Sequence, residues 1–103
     1  MPQEIAIACC LSDEQLRLRE ATLIQQFKAA VSVTTELVDG YSFQLSGDKE
    51  TLALVEEILP AERECCPFLR FQLTAEPMMG LLHLEVTGPS GTKDFLKAHF
   101  LKP

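Results

Sequence analysis

Hydrophobic and polar positions along the chain change period several times, and each change marks an element. In "EIAIACCL", Ile5, Ile7 and Cys9 fall on one side of an extended chain and Ala6, Ala8 and Cys10 on the other. Both sides are apolar, which predicts an interior strand covered on at least part of both faces. The period then lengthens. Leu16, Leu23, Phe27 and Ala30, widened by Ile24, form the stripe of a helix running from about Ser12 to Ala30. Ser12 offers an N-cap, Asp13 and Glu14 suit the first turn, and Gln15 stands where a capping-box partner belongs.

Alternation returns in "VSVTTELVDGYSFQLSG", which predicts a hairpin. A two-residue Asp39-Gly40 turn would set Phe43 against Glu36 and mix polar with apolar faces. A loop of Val38 to Gly40 instead pairs Leu37 with Tyr41, Thr35 with Phe43 and Val33 with Leu45, and puts Gly40 left-handed at a bulge. Asp48 then caps a second helix with Leu52, Val55 and Leu59 on its inner face. Pro60 removes a backbone hydrogen bond and predicts a kink or restart before the short turn that carries Glu62 to Cys66. Pro67 disfavours helical geometry at Cys66, so the cysteine doublet ends the helix, where its side chains can face a cleft.

In the second hairpin Leu69, Phe71 and Leu73 alternate inward, "EPMMG" turns the chain, and Leu82, Leu84 and Val86 alternate inward again. Arg70, Gln72, His83 and Glu85 fall on its other face. After "TGPSG" the segment "TKDFLKAHFL" reads as a short amphipathic helix. The predicted order is β-α-β-β-α-β-β-α. Its first six elements match the ferredoxin-like βαββαβ arrangement, an α+β two-layer sandwich, and the additional C-terminal strand and helix would extend or cap the sheet. At 103 residues the chain is expected to form a single domain, 1–103.

Charge and composition narrow the partners. A formal net charge of −6, with lysines and arginines scattered, repels phosphate backbones and argues against nucleic acid. No apolar run nears the ~20 residues of a membrane helix. "MPQEIAIACC" carries an acid where an export signal carries lysine or arginine, so a cytoplasmic location is expected. A reducing cytoplasm would keep the four cysteines as thiols.

Those thiols come in two doublets, Cys9-Cys10 and Cys65-Cys66, and neither has the C-x-x-C spacing that lets one loop hold an ion. Adjacent cysteines point apart, so each doublet offers about one thiol to a shared point. A composite site of Cys9 with Cys65 or Cys66 or both is the geometrically reasonable reading. Against it stands the habit of free cysteine to fill cores as a small hydrophobe. Arg63 lies beside the second doublet and would favour a reactive thiolate there. His83 and His99 are each ligands or general bases by type, although a histidine on a polar face is more often solvated. Met78 and Met79 are soft and lie in a turn, while Glu56, Glu57, Glu62 and Glu64 read as a solvated charge run. No Ser-His-Asp order, H-E-x-x-H or dinucleotide fingerprint names a reaction.

"ERECCPFLRFQL", followed by "GLLHLEVTGPSGTKDFL", resembles a group of small bacterial proteins of uncharacterised function. That group opens with a strand of the form I-A-C-T-L and carries an E-C-C-x-F-L-x-F segment. The resemblance covers most of the chain and implies that Cys9, Cys65 and Cys66 are its characteristic thiols. Cys10 stands where the group has threonine and is the least suited to take part. Members of the group are sometimes found beside mercury- or arsenic-resistance functions, which tilts the expectation toward thiophilic ions.

The leading expectation is a protein that binds a thiophilic metal or metalloid through Cys9, Cys65 and Cys66, with His83 as a fourth ligand. Three thiolates alone would suit arsenite or mercury(II), and a histidine would favour zinc. A second is a thiol redox enzyme or sensor with Cys66 reactive and Cys9 or Cys65 resolving it. A third is a homodimer formed through a sheet edge or the last helix, with Phe95, Leu96 and Phe100 at the contact and the cysteines only packing.

Overall fold

The computed structural model describes residues 14–101, without the side chains of Leu16 and Cys65. The expected first strand, with Cys9 and Cys10, lies outside the described residues. Seven elements follow in the order α1 (Glu14–Ala30), β1 (Val31–Glu36), β2 (Gly40–Ser46), α2 (Lys49–Cys65), β3 (Arg70–Glu76), β4 (Leu81–Thr87) and α3 (Thr92–His99). The four strands make one antiparallel sheet in the order β1-β2-β4-β3.

This α+β arrangement fits a two-layer sandwich. Phe43, Leu45, Leu84 and Val86 on one sheet face are fully buried, and Phe27 of α1, Val55 and Ile58 of α2 and Leu96 of α3 share their core. Phe27 is the hinge of that core. Its ring meets Phe43 edge-on at 5.2 Å and Phe100 at 5.7 Å, joining α1, β2 and the end of α3.

The strand order departs from the expected extension of a ferredoxin-like sheet. Because β2 and β3 each run antiparallel to β4, they are parallel to one another, and β2-α2-β3 is a βαβ unit split by β4. The last strand is therefore interior to the described sheet, in the gap that the ferredoxin-like order gives to the strand before α1. Its alternating apolar residues, each facing a neighbour on both sides, suit that place.

The first hairpin also corrects the expected register. Glu36 pairs with Tyr41 and Thr34 with Phe43, one residue away from the predicted partners. A bulge between Val31 and Val33 keeps Val31 opposite Leu45 in the core, while Val33 turns outward and is 48% exposed. With one buried residue on a strand at the edge of the described sheet, little hydrophobic energy selects the predicted alternation. Gly40 is not left-handed. It is needed for close approach, since a β-carbon there would overlap the Val86 carbonyl oxygen and lie 2.8 Å from the Thr87 Cα.

Asp48 caps α2 as expected, accepting from the Thr51 amide at 2.7 Å. The helix then runs through Pro60 without a restart. Pro60 and Glu56 both lie on the exposed side, where water can serve the carbonyl that the proline leaves without a donor. One consequence reaches the site. With α2 unbroken, Ile58 and Glu62 continue the buried stripe of Val55, while Leu52 is 36% exposed at the helix start.

Candidate functional site

Four polar side chains from three helices meet at the inner side of the helical layer. Glu20 comes from the middle of α1, Glu62 and Cys66 from the last turn and cap of α2, and His99 from the end of α3. The four-residue spacing of Glu62 and Cys66 stacks them on one face of α2. The helix closes there because the Cys66 amide donates to the Glu62 carbonyl at 2.6 Å before Pro67 turns the chain away.

The His99 ring carries the contacts. Its Nε2 lies 2.8 Å from Glu20 Oε1 and 3.6 Å from Glu62 Oε2. The Cys66 thiol donates to Glu62 Oε2 at 3.6 Å. Phe95 and Phe100 flank the imidazole, with ring centroids 5.0 and 5.1 Å away. Glu20 is 5% exposed, and Glu62 and Cys66 are at 0%.

Burial and neighbours set the protonation. Burial alone would hold His99 down, but Glu20 and Glu62 outweigh it and raise its pKa to about 9, so the ring is an imidazolium at neutral pH. Burial lifts Glu62 to about 7; His99 opposes the rise and the Glu20 carboxylate adds to it. Burial also pushes Glu20 upward, yet hydrogen bonding to His99 and Glu62 and the His99 charge hold it below its ordinary range. Glu20 and His99 thus form the charged pair, with Glu62 poised between protonated and ionised. Glu62 Oε1 is buried with no hydrogen-bond partner among the described residues, a costly arrangement for a carboxyl oxygen.

The ligand atoms of Glu62, Cys66 and His99 lie within 4.8 Å of one another. A four-coordinate zinc, with bonds of ~2.0 to 2.3 Å, keeps its ligand atoms about 3.3 to 3.5 Å apart. The two separations of 3.6 Å that end on Glu62 Oε2 are close to that. The remaining pair, the Cys66 thiol and the His99 ring, is held only to within 4.8 Å, so an ion of the zinc class would have to draw these side chains together.

Of the residues singled out from the sequence, Cys66 and His99 are in this cluster, together with Glu62, expected to be solvated. Cys9 lies outside the described residues, as does the side chain of Cys65. His83 is elsewhere: between buried Leu82 and Leu84, it faces the other side of the sheet and contacts Glu76 at 3.4 Å. Met78 and Met79 are exposed in the β3-β4 turn, and Glu56, Glu57 and Glu64 are solvated as expected. Glu62 is not, and His99 is only partly so.

Sequence reasoning missed Glu20 altogether and took Glu62 for surface. The signal was an acid interrupting an apolar stripe. Glu20 sits three residues before Leu23 on the core side of α1, and Glu62 four residues after Ile58 on the core side of α2.

No protein-family model, curated protein or solved structure matches this chain. The resemblance read from the sequence, of which "ECCPFLRF" is the most specific part, stays an expectation.

Proposed function

We propose that the protein binds a thiophilic divalent cation of the zinc class through Glu62, Cys66 and His99. The observation that carries this reading is the convergence of a thiol, an imidazole and a carboxylate inside the helical layer, with one oxygen of that carboxylate lacking a partner among the described residues. One sulfur, one nitrogen and one or two oxygens suit borderline zinc better than arsenite or mercury(II), which favour several thiolates. Cys9 and Cys65 remain proposed contributors; either would soften the ligand set. Bridging α2 to α3, the cation would fasten the last helix to the body of the fold.

Cobalt(II) titration tests the reading, because a thiolate ligand adds a charge-transfer band that carboxylate and imidazole do not. Stoichiometric uptake is expected, with the band lost in Cys66→Ser and affinity for zinc lowered at least about tenfold in His99→Ala and Glu62→Gln. Wild-type protein that takes up neither ion, or a Cys66→Ser variant that binds like wild type, refutes it. Cys9→Ser and Cys65→Ser, measured alongside, decide whether those thiols belong to the site.

A further inference from the structure

Strand β3 lies at the edge of the described sheet, bonded on one side to β4. Its burial is slight for a strand: Arg70, Gln72, Thr74 and Ala75 are exposed, Phe71 is half-buried and Leu73 is 36% exposed. Phe71, Leu73 and Ala75 lie opposite Val86, Leu84 and Leu82, on the core side. Among the described residues the helical layer covers Phe71 only in part and leaves Leu73 and Ala75 exposed. Beside it runs a groove of about 510 Å³ between α2 and β3, floored by Leu59, Pro60, Leu69 and Phe71 and bordered by Glu56 and Arg63.

An open edge with an apolar row is a hazard that proteins blunt or use. Here the charges favour use. Read about Leu73, the sequence "RFQLTAE" is self-complementary when two copies run antiparallel: Arg70 meets Glu76 at both ends, Phe71 meets Ala75, Gln72 meets Thr74, and Leu73 meets itself. Glu56 and Arg63 border the groove beside this edge, an acid and a base on the exposed side of α2. The other edge has no such property. Glu36, the one charged residue of β1, has no cation on its own strand to face; Lys93 holds it at 3.0 Å, much as His83 contacts Glu76 of β3 at 3.4 Å.

We infer that β3 joins two copies of this chain, edge to edge and antiparallel, about a two-fold axis through Leu73. The sheet then continues across the axis, the two apolar rows meet, and the outer sides of the two α2 helices close over them. Such an isologous contact is self-limiting, since each copy uses its β3 edge once. The surface is separate from the Glu62–Cys66–His99 cluster, which faces the interior.

Sedimentation velocity on the full chain, with circular dichroism to confirm folding, tests the inference. A dimer is expected, with Arg70→Glu and Glu76→Arg each raising its dissociation constant about tenfold, because two opposed pairs become like-charged. The double variant Arg70→Glu/Glu76→Arg should restore the wild-type constant, an outcome that a general loss of stability would not produce. A dimer indifferent to the single variants, or not rescued by the double, uses another surface and overturns the inference. A wild-type monomer overturns it too. If in that monomer the β3 amides resist hydrogen exchange until residues 1–12 are deleted, the chain's own first segment occupies the edge.

Discussion

At the scale of single residues, the buried quartet dictates how the metal-free protein should respond to pH. His99 titrates at about 9 in the fold against an ordinary 6.5, so its contribution is complete below pH 6.5 and fades as pH rises to 9. Glu62, at about 7 against 4.5, favours its protonated form in the fold, and that contribution fades from pH 4.5 to 7. Glu20 works in the opposite sense, since its lowered pKa gives stability above 4.5 that is lost on acidification. Metal-free protein should therefore lose several kcal/mol of unfolding free energy between pH 5 and 9. Urea unfolding at pH 5, 7 and 9 measures this, and His99→Gln should flatten the alkaline part. A wild-type curve that rises over that range would contradict the assigned protonation states.

At the scale of elements, α2 has most to explain. It supplies two of the three proposed ligands while carrying a proline in its interior. The expected break at Pro60 does not occur because the lost hydrogen bond lies on the wet side, whereas the inner side continues through Ile58 and Glu62 to Cys66. Pro60→Ala should then restore a backbone bond at an exposed position and stabilise the protein by about 1 to 2 kcal/mol, less than the full helix penalty because the unfolded chain gains freedom. Thermal melts of the two proteins decide this. A melting temperature unchanged or lowered would mean that the ring's packing in the groove outweighs the missing bond. The hairpin β1-β2 teaches the complementary point. Its alternation was legible, but its register was not, because one buried valine and a bulge outweigh a pattern that an edge strand need not bury.

At the scale of the whole molecule, stability concentrates where the layers meet. Phe27 touches both the sheet, through Phe43, and the chain after α3, through Phe100, and is fully buried. Phe27→Ala should cost about 3 to 5 kcal/mol, a large part of what a domain of this size possesses. Denaturant unfolding reads the loss directly; a change below about 1 kcal/mol would mean that the neighbouring rings collapse into the space. The same junction positions the quartet, since His99 immediately precedes Phe100. Among the described residues no helix is long and apolar enough to cross a membrane.

The sequence by itself determined the seven described elements, their order and most of their inward-facing residues, because period and capping are local properties of the chain. It also placed Cys66 at a helix end, through Pro67. Only the tertiary structure decided that β4 enters between β2 and β3, that β1 slips by one residue, and that Glu20, Glu62 and His99 meet Cys66. Those outcomes depend on contacts between residues far apart in the chain: Glu20 and His99 are 79 positions apart yet 2.8 Å from one another. No local pattern encodes such a meeting. What the sequence does carry is its trace, an acid set into an apolar stripe on each of two helices, which burial tolerates only where a partner is waiting.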